Sequence, residues 1–424
     1  MIKKMRARAT ALGRPMQGLM ASEVATVLAL MVGYVAVPWW VAQHGGGQDL
    51  ALNGVVVAIA SFLLMPLLSP LGDRWPKQRL MMASLMVLSL GACGYALMIQ
   101  LDAYRLALVM ALGVLGAAAS GVLMPATMSI AAELVPAAQL PEALSLQRSA
   151  QSLGRVLGPA LGGALVSLGT GVALWAQCGL LLGAAWAVRS IPAASGHADG
   201  PARGPWRREL AQGLRAAWAV PVERGWTLVG LIGTVFLLPG FSMLVPLKLQ
   251  SLGLSSGWLG AAETGLALGM LSGALGGNLW VAKWLGRFQT RFLSTVIQGL
   301  GLALAGWTAQ GVVIVLALFV VGFANSCGVL VGQTHRMLAI PAHFRSRLNA
   351  VSMMSLQIAS ALGPALAGIG LARASVDAVY IGLGLAGSVS ALGLLLVPGL
   401  REMLALDHEE VKEWYAKQHP HLFA

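Results

Sequence analysis

Charged side chains are scarce in this sequence, because Asp, Glu, Lys and Arg together make up only 10% of its 424 residues. Soluble chains carry about 25% of these four residue types. Apolar residues account for 57% of the sequence, which leaves too little polar surface to cover a folded globule in water. The composition therefore excludes a soluble protein and predicts that a lipid bilayer surrounds most of the chain.

Cysteine is rare as well, and several catalytic motifs are missing. Cys93, Cys178 and Cys327 lie far apart within apolar runs and show no metal-ligand spacing. No His-Glu-x-x-His zinc motif and no Gly-Lys-Ser/Thr phosphate loop occurs. We therefore expect no metal site and no cofactor. An ATP-driven pump is excluded, and a membrane-embedded enzyme stays only as a distant alternative.

Long stretches without charge are the main feature that is present. A spanning helix needs about 20 apolar residues, and a charge in its middle is costly. Seven runs each fit one span, and two longer runs hold three more around turns at Gly169–Gly171 and Thr308–Gly311. One further span is interrupted only by Glu263, and another begins near Glu142. We therefore predict an all-α integral membrane protein with twelve transmembrane helices.

Lysine and arginine are distributed unevenly between the predicted loops. With both termini on one side of the membrane, that side holds 23 of the 28 basic residues, and the other side holds only Arg105, Lys248 and Arg373. Membrane proteins retain Lys and Arg on the cytoplasmic side. We therefore predict a multi-pass protein of the inner (cytoplasmic) membrane with both termini in the cytoplasm. The same bias explains the net charge of +12 and removes the argument for a nucleic-acid partner.

The two halves of the sequence share short motifs in the same order. Val37-Pro38 recurs as Val245-Pro246, and Gly158-Pro159-Ala160-Leu161 recurs as Gly363-Pro364-Ala365-Leu366. Offsets of nearly half the chain predict two six-helix repeats. The expected segments are a basic cytoplasmic N-terminus at 1–17, six-helix bundles at 18–189 and 225–398, a cytoplasmic linker at 190–224 and a cytoplasmic tail at 399–424.

Two motifs give the sequence a resemblance to the major facilitator superfamily. Residues 69–79, Ser-Pro-Leu-Gly-Asp-Arg-Trp-Pro-Lys-Gln-Arg, are similar to the family's loop signature G-x-x-x-D-R-x-G-R-R. Residues 154–163 in the fifth predicted span, Gly-Arg-Val-Leu-Gly-Pro-Ala-Leu-Gly-Gly, match G-x-x-x-G-P-x-x-G-G, a signature of its proton-coupled exporters. The resemblance covers essentially the whole chain and implies the major facilitator fold, in which two bundles rock about a midplane site.

The resemblance implies a role for each motif. Asp73, Arg74, Lys77 and Arg79 would form a cytoplasmic latch that holds the two halves together in one state. Ser69 and Pro76 replace the two glycines of the loop signature, and Pro76 should stiffen the turn. In the second motif, glycines would let the fifth span approach helices of the other half, and a proline would kink it. The residues expected to act in this way are Gly154, Gly158, Pro159, Gly162 and Gly163.

Charges within the predicted spans are candidates for function. Arg148, Gln151, Ser152 and Arg155 recur at i, i+3, i+4 and i+7, so they share one face of the fifth span. Glu23 in the first span and Glu263 in the eighth are the available acids. The hypothesis is that Glu23 or Glu263 carries the coupling proton, and that Arg155 with Arg148 receives an anionic part of the substrate or the deprotonated acid.

The predicted function is a proton-coupled secondary active exporter, an antiporter of a small amphipathic molecule such as a siderophore or a drug. Residues 133–159 resemble the branch of the superfamily that contains the enterobactin exporter and macrolide efflux proteins. A lysophospholipid carrier of the same fold is the alternative, and a channel fits midplane charges at a repeat interface less well. The expected partners are the substrate, protons and the bilayer, with the protein as a monomer.

Overall fold

The computed structural model describes residues 13–68, 71, 75–192 and 206–423, and within this part every regular element is a helix. The longer helices are α1 (Arg14–Leu68), α2 (Lys77–Gln100), α3 (Leu106–Leu134), α4 (Leu140–Leu168), α5 (Thr170–Val188), α6 (Trp206–Ala219), α7 (Pro221–Ser242), α8 (Leu244–Ser251), α9 (Ser256–Ser272), α10 (Asn278–Leu285), α11 (Arg287–Trp307), α12 (Gly311–Ala339), α13 (Arg345–Leu371) and α14 (Val376–Ser390). Three short helices follow: α15 (Leu400–Ala405), α16 (Trp414–Gln418) and α17 (Pro420–Phe423).

Nine helical segments in the described part of the chain are long and apolar enough to cross a membrane. The first runs from Arg14 to Met65, and its 52 residues would extend about 78 Å, more than twice the hydrocarbon core. Gly46 interrupts this segment with φ 67° and ψ −164°, a left-handed conformation that glycine adopts without steric cost. The segment therefore consists of two helices that meet at Gly46.

Two further helices are long enough to span but are less apolar than these nine. They are α4, with 29 residues, and α11, with 21 residues. The predicted turn at Gly169–Gly171 follows α4, where Gly169 has φ 138°, and the predicted turn at Thr308–Gly311 follows α11. These two helices also carry most of the polar residues of the site described below.

The chain divides into two compact units. Of the described residues, the first comprises those up to 192 together with 253–264, and the second comprises 206–252 and 265–423. The sequence analysis assigned 253–264 to the second bundle, whereas in the structure this segment clusters with the first unit. The reason is local, because a Cβ atom on Gly163 of α4 would lie 2.2 Å from the Cα of Gly260.

The same pairs of helices pack in each unit. In the first unit α2 contacts α5 and α3, and α1 contacts α4 and α5. In the second unit α11 contacts α14 and α12, while α7 contacts α13 and α14. This correspondence is what a duplicated six-helix unit would produce. Each unit has its own apolar core, centred on residues such as Leu85, Ile130 and Leu181 in the first and Val220, Leu348 and Met403 in the second.

Candidate functional site

Glu23 is the centre of a polar cluster inside the first unit. Its side chain is 4% exposed. Gln147 Nε2 donates to Glu23 Oε1 at 2.6 Å and to the Thr127 carbonyl oxygen at 2.9 Å. Gln151 Nε2 donates to Glu23 Oε2 at 3.2 Å. The carboxyl group therefore links α1 to α4, and through Gln147 to α3, by hydrogen bonds that satisfy both of its oxygens.

The predicted polar face of α4 divides in two. Gln151 is half-buried against Glu23, whereas Arg148, Ser152 and Arg155 are exposed. Within the described residues no ion pair joins either arginine to Glu23 or Glu263. The neighbour that the prediction missed is Gln147, one helical turn before Gln151. Gln147 lies four residues before Gln151, and this spacing could have predicted that the two glutamines share a helical face.

Glu263 on α9 is buried in a different environment. It is 6% exposed, and among the described residues it makes no hydrogen bond or ion pair. It lies one turn after Gly260, whose backbone packs directly on that of Gly163. The backbone contact of Gly163 with Gly260 is therefore adjacent to a buried acid that has no polar partner among the described residues.

The glycines of the α4 motif pack mainly within the first unit. A Cβ atom on Gly154 would lie 2.7 Å from Val27, and one on Gly158 would lie 2.4 Å from Met31. Gly162 faces the same helix, α1. Only Gly163 contacts a segment from the second half of the sequence, so the structure differs from the expectation that the whole stripe would do so. Pro159 is buried within α4.

The predicted latch is only partly described. Asp73 and Arg74 lie outside the described residues. Lys77, at the start of α2, forms an ion pair with Glu133 near the end of α3, and Arg79 is exposed. The Lys77–Glu133 pair joins two helices within the first unit, and the sequence analysis did not foresee it.

The second unit contains a partly open cavity of about 400 Å³. Its walls are mainly apolar, with Leu237, Phe241 and Met270 among them. A small set of polar side chains also faces it: Thr234, Arg291, Thr295, Gln298 and Asn325. Mostly apolar walls with few polar groups are typical of small-molecule sites.

Arg291 of α11 is the charged group of this cavity. Its guanidinium lies 5.2 Å from the centroid of the Trp226 ring. Its Nε is buried and has no hydrogen-bond partner among the described residues. It also lines an adjoining cavity of about 290 Å³ that Ser352 and Ser355 border. A ligand with a hydrogen-bond acceptor or an anionic group would satisfy the buried Nε.

The sequence analysis counted Arg291 only as one of the basic residues on the cytoplasmic side. A signal was nevertheless present, because Arg291, Thr295 and Gln298 recur at i, i+4 and i+7 on one helical face. The cavity also depends on Asn325 of α12, whose Nδ2 donates to Gln298 Oε1 at 2.9 Å. That contact joins positions 27 residues apart, and no spacing rule predicts it.

A fully buried ion pair lies in the second unit near the cavity. Arg336 Nη2 and Glu223 Oε1 are 2.5 Å apart, and both side chains are fully buried. The Tyr415 hydroxyl donates to Glu223 Oε2 at 2.9 Å. Burial and the neighbouring Glu223 raise the pKa of Tyr415 well above its usual range, so the phenol keeps its proton as a donor. The sequence analysis placed Glu223 in the cytoplasmic linker, counted Arg336 with the basic residues of the cytoplasmic side and left Tyr415 in the cytoplasmic tail.

The three cysteines are free, and two of them are buried. Within the described residues no group of three or more His, Cys, Asp or Glu side chains is arranged to hold a metal ion. The polar groups of the Glu23 cluster and of the 400 Å³ cavity are carboxyl, amide, hydroxyl and guanidinium groups. Such groups bind ligands through hydrogen bonds and charge.

The sequence matches the family profile described as Major Facilitator Superfamily over residues 19–327. The multidrug efflux pump Tap of Mycolicibacterium fortuitum is 27% identical over 389 residues, which cover 87% of this chain and 92% of that protein.

Solved transporter structures are similar to this chain over most of its length. The nucleoside transporter NupG gives a TM-score of 0.71 at 14% identity, with 90% of this chain and 98% of that chain covered. A bacterial homologue of the human lysosomal transporter Spinster gives 0.68 at 14% identity, with 94% and 98% covered. At this level of identity the likeness shows a common fold.

Proposed function

This chain belongs to the Major Facilitator Superfamily, and from that premise we propose that it is a proton-coupled efflux transporter of small amphipathic molecules. A chain of this family is a multi-pass membrane transporter of small molecules rather than an enzyme. The 27% identity to a multidrug efflux pump supports export as the direction and drug-like molecules as the substrate class. A siderophore is the second substrate class, since both kinds of molecule combine apolar surface with a few polar groups.

The observation that carries this proposal is the 400 Å³ cavity of the second unit. Its apolar walls match the body of an amphipathic molecule, and the buried Arg291 Nε lacks the acceptor that a polar group of the substrate would provide. In the adjoining cavity of about 290 Å³ the Trp226 ring lies beside the Arg291 guanidinium and adds apolar surface next to it. We therefore assign the cavity to the substrate and Arg291 to its acceptor or anionic group.

The proposed arrangement in the membrane follows from the helices and the basic residues. The nine apolar segments, the break at Gly46 and the two more polar helices α4 and α11 together support twelve spans. The excess of lysine and arginine on one side supports an inner-membrane protein with cytoplasmic termini. We propose that it functions as a monomer with two six-helix bundles.

For proton coupling we propose Glu23 and Glu263 as the two candidate carriers. Glu23 has amide donors on both oxygens, and these stabilise the carboxylate that remains after a proton leaves. Glu263 is buried without a partner and lies beside the tight contact of Gly163 with Gly260. The exposed Arg148 and Arg155 provide positive charge on α4 for an anionic substrate.

The test uses proteoliposomes that contain a pH-sensitive dye and start without a pH gradient. When a candidate drug or siderophore is added outside, an antiporter moves it inward and protons outward, so the internal pH rises. Empty liposomes control for passive entry of weak bases. Substrate transport without any protein-dependent pH change would contradict antiport.

Lysophospholipid is the control ligand in the same vesicles. Because the 400 Å³ cavity suits a compact molecule, we expect drugs to be transported and lysophospholipid to remain in its leaflet. Translocation of fluorescent lysophospholipid, together with no drug transport, would replace the exporter proposal with a lipid carrier of the same fold.

A further inference from the structure

A second, separate groove in the second unit has a different chemistry. Its volume is about 800 Å³, and it lies between α10, the first turns of α11 and α15. Four cationic or titratable bases line it: Lys283, Arg287, Arg401 and His408. No acidic side chain from the described part of the chain lines it. The groove therefore has a positive field that nothing in the transport cycle described above uses.

Two of these cations are available to a ligand. Arg287 Nη1 donates to the Leu406 carbonyl oxygen at 2.8 Å, and its Nη2 lies 3.7 Å from Asp407, so Arg287 already holds the chain after α15. Lys283 and Arg401 are exposed and have no ion-pair partner among the described residues. The Arg401 guanidinium lies 4.8 Å from the centroid of the Phe288 ring, which orients it at the groove.

The groove also has an apolar part, which a free anion would not need. Leu279, Phe292 and Leu395 line it beside the cations. On the same helix, α10, Trp280 is 66% exposed and Trp284 is 73% exposed. Exposed tryptophans at helix ends are typical of the interface between hydrocarbon and headgroups. Cations and apolar side chains thus meet where a phospholipid has its phosphate and the start of its acyl chains.

We propose that this groove binds an anionic phospholipid of the surrounding bilayer. Lys283 and Arg401 contact the phosphate, while Leu279, Phe292 and Leu395 contact the acyl chains. Basic pockets beside transmembrane helices bind acidic headgroups, and each Lys or Arg near the headgroup strengthens such binding about fivefold. The bound lipid would hold α10 and α15 together at the edge of the second unit.

The test compares phosphatidylglycerol, phosphatidylcholine and inorganic phosphate added to the purified full-length protein in neutral detergent. Lipid retention is measured by native mass spectrometry, and the unfolding temperature by tryptophan fluorescence. We expect phosphatidylglycerol to be retained and to raise Tm, with little effect of the other two. Equal effects of both lipids would overturn the proposal, and an equal effect of phosphate would assign the groove to free anions.

Lys283→Gln should weaken retention of phosphatidylglycerol about fivefold, and Lys283→Gln with Arg401→Gln about twentyfold to thirtyfold. Lys283 is exposed and unpaired, so the single variant tests the site without disturbing the fold. The matched control is Lys412→Gln with Lys417→Gln, which removes the same charge from the tail outside the groove. If the control weakens retention as much as the double groove variant, then lipid retention depends on the total positive charge of the protein. That result would show that the groove is not a binding site.

Discussion

Glu23 and Glu263 are both buried carboxyl groups, but their surroundings suit different roles. Glu23 accepts hydrogen bonds from two glutamines, whereas Glu263 has no polar partner among the described residues. A carboxyl group without donors is stable in a dry site only when it carries a proton. Glu263 can therefore release a proton only when water or a positive group reaches its carboxyl group. Proton release thus requires a change of structure around Glu263.

Glu263→Gln should abolish substrate-driven proton movement and leave substrate binding within about threefold. The amide is nearly isosteric with the protonated acid, but it cannot carry a proton between the two sides. The measurement is the internal pH signal in proteoliposomes together with substrate binding to the purified variant. Undiminished coupling in this variant would assign the proton to Glu23, for which Glu23→Gln is the matched experiment.

Arg291→Gln should lower the affinity for an anionic substrate by about tenfold to a hundredfold, because hydrogen bonds to charged groups contribute about 1.5–3 kcal/mol. A neutral analogue of the same size should lose less than about threefold. Equilibrium binding to the purified protein measures both. Equal losses for the two ligands would mean that the variant alters the shape of the cavity, and that Arg291 does not recognise charge.

Sequence reasoning identified the buried acids Glu23 and Glu263 but neither their partners nor the buried Glu223. Glu23 and Glu263 stand out because charges are rare in the spans. Gln147 and Asn325 do not, since an amide carries no charge and each contact depends on how two helices are rotated. Whether Arg148 and Arg155 are exposed or buried depends on the same rotation. A helical spacing shows which residues share a face, and packing decides what that face contacts.

At the level of elements, the glycines of α4 set how closely helices approach. Gly154 and Gly158 bring α4 against Val27 and Met31 of α1, which places Gln147 and Gln151 within reach of Glu23. Gly163 brings α4 against Gly260, one turn from Glu263. The motif therefore positions α4 beside both candidate proton carriers.

Gly163→Ala should lower the stability of the protein by about 1–3 kcal/mol, because the new methyl group would meet the backbone of Gly260. Gly179→Ala on α5 is the control, since a Cβ atom there has no neighbour within 4 Å. We expect the control to be neutral or slightly stabilising, as alanine favours helix. The measurement is the Tm of the two purified variants in thermal unfolding. Equal Tm values would show that the contact with Gly260 accommodates the methyl group without loss of stability.

The existence of the helices was the most predictable property of the fold. Apolar runs of about 20 residues form helices in a bilayer because every backbone hydrogen bond must be made internally. The ends of the helices could be predicted less well from the sequence. The break between the first two spans falls at Gly46, and Gly276 lies in a π-helical turn between α9 and α10. These features depend on single glycine conformations, which a hydropathy pattern does not resolve.

On the scale of the whole molecule, each unit is joined by contacts between residues distant in sequence. Arg336 and Glu223 are 113 residues apart, and Tyr415 and Glu223 are 192 apart. The tail residue Tyr415 is therefore part of the buried structure of the second unit. The sequence analysis predicted only a cytoplasmic tail at 399–424, because nothing in the local sequence of the tail marks Glu223 as a partner of Tyr415.

Tyr415→Phe should destabilise the protein by about 1–3 kcal/mol, because it removes one of the two donors to a buried carboxylate oxygen, which then keeps only Arg336 Nε at 3.0 Å. Tyr104→Phe is the matched control, since Tyr104 also donates to a carboxylate, at 2.8 Å from Asp49, but in a partly exposed place. Burial and the bond to Asp49 raise the pKa of Tyr104, so both phenols are donors near neutral pH. A Tm loss as large in the control would show that burial of the pair with Glu223 adds nothing.

The long separation between Glu223, Arg336 and Tyr415 has a consequence for biosynthesis. At about 5–20 residues per second, a ribosome makes Tyr415 roughly 10–40 s after Glu223. Arg336 is only 113 residues after Glu223, so the guanidinium is made before the phenol, and for the last part of the delay Glu223 has one partner and lacks the other. A nascent chain arrested before Arg336 should hold this acid without either partner and expose it to proteases and insertion factors that survey unfinished membrane proteins.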